Sequence, residues 1–234
     1  MVRWALLPAT STLHPTTGLL PAGDTIALQV ERSPAIACPQ ERVANDRRES
    51  GRLGGMTRPS PPPTPPAIAQ LLYLLDEAFE STTNDHSLLG NLLSLRPEDW
   101  LWVPAGGSRS IRDIVQHVGG CKFMYHDYAF GGATLTWEDP LVDGVVDGAD
   151  ALASSVSAIE WLRVGQERLC QSIAALAEDA ELLRLRLTNW GECEETRWII
   201  AVMIQHDLYH AGEINHLRSL RQGTDRWAYD VAEE

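Results

Sequence analysis

The stretch that decides the fold is residues 206–218, which read HDLYHAGEINHLR. On an α-helix, the spacing of His206, His210 and Glu213 places all three side chains on one face. Five apolar residues fall within about 60° of His206 at 100° per residue and share that face; they are Ile199, Val202, Met203, Leu217 and Leu220. The pattern predicts a helix over about residues 194–223 that turns ionisable groups toward an apolar core.

Two histidines one helical turn apart can bind one divalent metal ion, because both imidazoles reach it at about 2.0–2.1 Å. A lone inward histidine is more often a hydrogen-bonded core residue. Three ionisable groups on a buried face are costly without compensation, and a metal ion is the simplest compensation. From the spacing alone both interpretations stay open, because His-x-x-x-His pairs also arise by chance.

Three more helices are predicted upstream of this one. Apolar residues recur at spacings of three and four over residues 67–95, 111–125 and 150–177. The first of these helices is expected to be bent or broken near residues 81–85. The sequence therefore predicts an all-α fold, a four-helix bundle with a long connection between helices 2 and 3.

The connections carry their own signals. Residues 100–107 predict a loop, after which Ser108 or Ser110 can cap the second helix. Residues 131–150 are rich in Gly and Asp and predict the long connection, whereas residues 181–188 alternate like a strand or an extended connector.

The chain is predicted to divide into three parts. Residues 1–65 lack periodicity and are interrupted by prolines, so we interpret them as a disordered or mis-annotated N-terminal extension, with Met56 as an alternative initiator. The bundle is expected over residues 66–225, followed by a C-terminal tail over residues 226–234.

Charge and hydropathy exclude several classes of protein. The net charge is −13 and the acidic excess lies after residue 55, so we expect no nucleic-acid partner. No apolar run approaches the roughly 18 residues of a membrane span, and no secretory leader is evident, so we expect a cytoplasmic protein that does not contact a membrane. The four cysteines form no Cys-x-x-Cys pair, which argues against a cysteine zinc site.

A third metal ligand must come from another helix. His117 lies at the edge of the second helix's apolar stripe, and taken alone it is more often a boundary histidine than a ligand. Cys121, one turn later, is interpreted as a small buried hydrophobe, with a fourth-ligand role as the alternative. His126 points to the opposite face and is expected at the surface. Trp102 and Trp137, on loops, could line a substrate entrance.

Two motifs carry a resemblance to a known family. Residues 110–118, SIRDIVQHV, preceded by Trp100, resemble the second-helix motif of the DinB/YfiT-like superfamily of metalloenzymes. Residues 206–218 resemble its C-terminal motif. The resemblance covers about residues 66–223, with the two motifs in the family's order.

The resemblance implies that the metal ligands are His117, His206 and His210. Arg109-Ser110 replaces the tryptophan that is common before the second-helix motif, and Glu213 stands where many members have glutamine. Glu213 is therefore a candidate catalytic base or a hydrogen-bond acceptor behind the ligands.

The resemblance also implies an activity, because relatives include bacillithiol- and mycothiol-dependent S-transferases and maleylpyruvate isomerase. We expect a divalent-metal-dependent thiol S-transferase or thiol-dependent isomerase acting on small electrophiles, with zinc or nickel and a low-molecular-weight thiol as cofactors. A metal-dependent hydrolase of small esters or amides and a non-catalytic, stress-related metal-binding bundle are the alternatives. The expected partners are the electrophile and the thiol, and a homodimer is left open.

Overall fold

A computed structural model of the protein describes residues 63–81 and 86–225. The predicted N-terminal extension as far as residue 62, the alternative start at Met56 and the predicted tail from residue 226 lie outside the described residues.

The described part of the chain is mostly helical, which confirms the predicted helical class. Its α-helices are α1 (Pro66–Glu80), α2 (Pro97–Trp100), α3 (Ile111–Phe130), α4 (Ser155–Ala174) and α5 (Thr196–Gln222). Two short antiparallel hairpins pair β1 (Val145–Val146) with β2 (Ala149–Asp150), and β3 (Leu185–Leu187) with β4 (Cys193–Glu195). Two 3-10 helices span Ala151–Ala153 and Asp179–Leu183.

Each of the four long helices packs against two others. α3 contacts α4 and α5, and α1 contacts the same two helices. One cluster of buried apolar side chains includes Ile114, Leu162 and Ile214 from α3, α4 and α5. A second cluster includes Ile173 and Ile200 and is completed by residues of α1. Burial of these faces is the main favourable term that holds α3 and α5 together.

The start of α3 is fixed by a capping box. The Ser110 amide donates to Oδ2 of Asp113 at 2.8 Å, and the Asp113 amide donates to Oγ of Ser110 at 3.3 Å. Ser110, rather than Ser108, is therefore the cap. Further along α3, a Cβ on Gly119 would lie only 2.0 Å from Cζ3 of Trp161, so glycine permits the close approach of α4.

The prediction of helix over residues 88–95 was wrong, because these residues form turns after α1. Ser87 Oγ accepts from the Gly90 amide, and the Asn91 side chain donates to the Ser87 carbonyl. Ser94 has a left-handed φ of 53°. Short polar side chains that bond to nearby backbone favour turns over helix, and they override the leucine periodicity here.

Other boundaries also differ from prediction. α4 begins at Ser155 instead of about residue 150, because Ser154 caps it and a 3-10 helix precedes it. Of the predicted strand over residues 181–188, only Leu185–Leu187 are paired, since a 3-10 helix occupies the start of that stretch. None of the helices in the described residues is long and apolar enough to cross a membrane.

The connection between α3 and α4 is anchored at two tryptophans. Trp161 Nε1 donates to the Leu141 carbonyl at 3.0 Å, and Trp100 Nε1 donates to the Leu152 carbonyl at 2.9 Å. These bonds hold the connection beside the middle of α3.

Candidate metal centre

Three histidine rings from two helices meet between α3 and α5. Nε2 of His117 lies 3.1 Å from Nε2 of His206. The ring centroids are 5.1 Å apart for His117 and His206, 5.1 Å for His117 and His210, and 4.5 Å for His206 and His210. The structure thus brings together the three histidines that the sequence singles out.

The spacing of the His117 and His206 nitrogens fits a shared ion. Two imidazole nitrogens that bind one ion at about 2.0–2.1 Å lie roughly 2.9–3.4 Å apart at octahedral to tetrahedral angles. The observed distance between His117 and His206 falls in this range. His206 and His210 are buried, whereas His117 is exposed, so the group is open to solvent on the α3 side.

Cys121 is close enough to belong to the same group. Donor atoms of His117, Cys121 and His206 all lie within 4.8 Å of one another, an arrangement that could hold a metal ion. The Cys121 sulfur is 3.9 Å from both ring nitrogens of His117. Its burial, at 5% exposure, agrees with the prediction, and the fourth-ligand alternative is within geometric reach.

Burial sets the protonation of these donors. It lowers the pKa of His206 to about 2. His117 is exposed on its cavity side, but desolvation by the surrounding protein still lowers its pKa to about 4, and nearby His210 adds to both effects. Both rings are therefore neutral at physiological pH, and neutral imidazole is the form that binds a metal. Burial also raises the pKa of the Cys121 thiol to about 12, so it stays protonated unless a bound cation displaces the proton.

Glu213 is held between two groups. Its Oε2 accepts from Nδ1 of His210 at 2.9 Å, and its Oε1 accepts from Nη2 of Arg109 at 2.5 Å. The bond to His210, together with Arg109, holds the pKa of the Glu213 carboxyl below its ordinary value. A carboxylate on Nδ1–H fixes the ring so that Nε2 is the nitrogen left to bind a metal.

A cavity of about 200 Å³ opens beside His117. It is lined by Asp113, Gln116, His117, Trp137, Val142 and Asp143. Gln116 Nε2 donates to Oδ1 of Asp143 at 2.5 Å, which ties α3 to the α3–α4 connection at the rim. Trp137 therefore lines this cavity, whereas the Arg221 guanidinium lies over the Trp102 ring, 5.4 Å from its centroid; a substrate entrance at these residues stays a prediction.

Two sequence expectations near the site were wrong. His126 is half-buried rather than at the surface, because its ring packs toward α4 with Nε2 3.1 Å from Oγ of Ser172. Leu220 was expected on the inward face of the last helix but is 55% exposed. Leu220 lies near the end of α5, where polar contacts of its neighbours with Asp99 replace apolar packing.

Two charged pairs at the site were not predicted from the sequence. Lys122 and Asp207 form a buried ion pair, and Arg109 pairs with Glu213. The signal for the second pair was present, because both of its members depart from the motifs that the chain resembles. The signal for the first was only a lysine within an otherwise apolar part of α3.

Comparison with known proteins agrees with this geometry. The family model described as the DinB superfamily matches residues 81–214, more than half of the chain. The match contains the whole of α3 and the part of α5 that carries His206 and His210. A search of curated proteins found no match.

Proposed function

The chain belongs to the DinB superfamily, and from this premise we propose that it binds a divalent metal ion through His117, His206 and His210 and uses it in thiol transfer or thiol-dependent isomerisation. The observation that carries the proposal is the 3.1 Å separation of His117 Nε2 and His206 Nε2, two neutral donors on different helices. Zinc and nickel are the leading candidates, because imidazole nitrogen suits both.

The fold supports this assignment through the packing of its four long helices. We interpret them as a four-helix bundle with the long connection between α3 and α4. In such bundles, ligands project inward from facing helices, as His117 and His206 do here.

Three imidazole ligands would leave at least one position of a divalent ion for an exogenous ligand, and the cation would lower the pKa of a thiol bound there. In the transfer, the thiolate sulfur forms a bond to an electrophilic carbon, the leaving group departs with its electron pair, and the thiol proton passes to solvent. The cavity beside His117 is the proposed site for the electrophile, with Trp137 against its apolar part.

Glu213 is the proposed catalytic carboxylate. Its contacts support most directly a role in holding His210, because both carboxylate oxygens already accept hydrogen bonds. Its lowered pKa makes it a weak general base at neutral pH. We therefore place its role as general base second to its role in orienting the ligand.

A non-catalytic metal-binding protein is the second candidate, and Cys121 is the observation that favours it. If Cys121 joins His117, His206 and His210, four protein donors would close the site, as in structural zinc centres. Tight metal binding without turnover would then be the function.

The experiment combines metal analysis with a thiol-dependence assay. Purified protein, His206→Ala and His210→Ala are compared by elemental analysis, with His216→Ala, an exposed histidine on the same helix, as the matched control. We expect about one metal per chain in the unsubstituted protein and His216→Ala, and a strong loss in the other two.

The same proteins are then assayed with several small thiols and electrophiles. Turnover that requires both metal and thiol supports the transferase or isomerase. Hydrolysis of small esters without thiol would favour the hydrolase. Full metal content with no turnover above the His210→Ala control would favour the closed, non-catalytic site.

A further inference from the structure

A charged pair is buried between the two helices that carry the histidines. Lys122 on α3 and Asp207 on α5 are each 1% exposed, and Nζ lies 2.6 Å from Oδ2. Burying two charges costs so much desolvation that apolar residues of similar volume are often as stabilising or more so. Stability alone therefore does not account for the pair, and buried polar pairs are best attested as devices that fix the register of packed elements.

The Lys122 ammonium contacts each of the other long helices. Besides Asp207, it donates to Oε1 of Gln166 on α4 at 2.8 Å, and it lies 4.8 Å from the Phe79 ring centroid on α1. Gln166 in turn donates through Nε2 to the Leu75 carbonyl on α1 at 3.3 Å. One ammonium therefore links α3 to α1, α4 and α5.

Gly165 on α4 leaves space for the side chain of Lys122. A Cβ on Gly165 of α4 would lie 3.2 Å from Cβ of Lys122 and 3.4 Å from the Phe123 ring. The glycine leaves the room that the lysine stem and the phenylalanine occupy. The polar contact is thus matched by close packing of α4 on α3.

The pair is also adjacent to the histidines. Asp207 directly follows His206, and Lys122 directly follows Cys121 and lies five residues after His117. We propose that Lys122 and Asp207 are positioning residues whose ion pair sets the rotation and register of α5 against α3. By doing so it fixes the distance between the His117 and His206 nitrogens. This inference rests on the proposed metal site.

The test replaces both charges with apolar residues in the full-length protein. Lys122→Met/Asp207→Leu is compared with the unsubstituted protein by zinc titration against a chromophoric chelator, and by thermal unfolding of the metal-free form. We expect a folded protein with an equal or higher Tm that binds zinc at least about tenfold more weakly. A folded double variant with unchanged zinc affinity would overturn the proposal.

Gln166→Met is the matched control. It removes a buried hydrogen bond from the same ammonium but leaves the contact between α3 and α5 in place. We expect a lower Tm with unchanged zinc affinity. A loss of affinity as large as that of the double variant would show that any disturbance of the core weakens the site, and the specific positioning role would be rejected.

If the double variant does not fold, Asp207→Asn carries the same test, because it keeps the shape and an acceptor oxygen while removing the charge. Weaker zinc binding is expected, and unchanged binding overturns the proposal.

Failure of the unsubstituted protein to bind zinc would refute only the proposed function. The positioning role is then decided by NMR of the metal-free proteins, where the ring contact between His117 and His206 should be lost in Asp207→Asn; its retention would overturn the inference.

Discussion

Arg109 Nη2 and Glu213 Oε1 lie 2.5 Å apart, and the contact joins the loop before α3 to α5 about one turn beyond its middle. Arg109 lies where tryptophan is common in the family that the chain resembles, and Glu213 where glutamine is common. The two departures therefore contact each other. Glu213 pairs with Arg109 through one carboxylate oxygen, a charged contact that glutamine could not make. Its other carboxylate oxygen accepts the hydrogen bond from His210.

Glu213→Ala is expected to weaken metal binding by about 10- to 100-fold, because it removes the acceptor that orients His210. Glu213→Gln keeps an oxygen for Nδ1–H and should lose less. Zinc affinity, measured by competition with a chelator, checks the order. Glu160→Ala, an exposed carboxylate on α4, is the control and should bind zinc normally.

A double-mutant cycle measures how strongly Arg109 and Glu213 are coupled in zinc binding. If Arg109 serves mainly to balance the Glu213 charge, Arg109→Gln and Glu213→Gln should be less than additive in zinc affinity. Strict additivity would show that the two side chains act independently despite their short contact.

The metal-free protein is expected to lose stability as the pH falls from 7 to 5. The folded pKa values of His117 and His206, about 4 and about 2, lie below the value near 6.5 of an unfolded chain. The unfolded state therefore binds more protons in this window, and stability rises with pH. The contribution of the two histidines to the free energy of unfolding is complete above about pH 6.5, and it is lost as the pH falls toward their pKa values in the folded protein.

Urea unfolding in the presence of a chelator at pH 7, 6 and 5 measures this slope. Carboxylates with ordinary pKa values remain largely ionised over the same window and contribute little to it, whereas burial raises the pKa of the Asp207 carboxyl. His117→Gln/His206→Gln should flatten the dependence. An unchanged slope in that variant would show that other groups, such as the half-buried His126, dominate.

How far the sequence predicts this molecule depends on whether a feature is local. A serine cap at residue 108 or 110 and the inward pair of His206 and His210 follow from local spacing, and both were predicted; the structure shows that Ser110 is the cap. The contact of His117 with His206 spans 89 positions, and only resemblance suggested it. Periodicity cannot report such pairings.

Two further features, one long-range and one local, were not predicted. Lys122 is buried because Asp207 and Gln166, from two other helices, satisfy its ammonium. Leucines over residues 88–95 repeat at helical spacing, yet Ser87 and Asn91 bond to the backbone and form turns. In both cases, specific polar contacts outweigh the pattern of apolar residues.

Trp137→Ala is expected to raise KM for the electrophile about tenfold, equivalent to about 1.4 kcal/mol, with little change in kcat. The reason is that Trp137 lines the cavity beside His117 and is 47% exposed, so it contributes binding surface without supporting the core. Trp190→Ala, similarly exposed at 44% but packed against Tyr125 and Trp198, is the control. Equal effects of the two substitutions on KM would argue against the cavity as the electrophile site.

Gly119→Ala and Gly212→Ala should change stability in opposite directions. Both glycines lie within helices, so alanine brings each the same gain in helix propensity, up to about 1 kcal/mol. At Gly212 a Cβ meets nothing within 4 Å, and the gain should appear as a higher Tm with unchanged zinc affinity. At Gly119 the Cβ would lie 2.0 Å from the Trp161 ring, and overpacking should destabilise the protein by about 1–3 kcal/mol or more.

The comparison of the two glycine variants separates the energy of the α3–α4 contact at Trp161 from the gain in helix propensity that alanine brings at both positions. Urea unfolding gives both free energies of unfolding, and their difference measures the cost of separating α3 from α4 at Trp161. The Trp161 ring is held in place, because its Nε1 donates to the Leu141 carbonyl near the middle of the α3–α4 connection. Gly119→Ala should therefore also loosen that connection and the cavity it lines, detectable as faster hydrogen exchange over residues 137–143. Unchanged exchange there, with the expected loss of stability, would mean that α4 shifts as a unit and carries the connection with it.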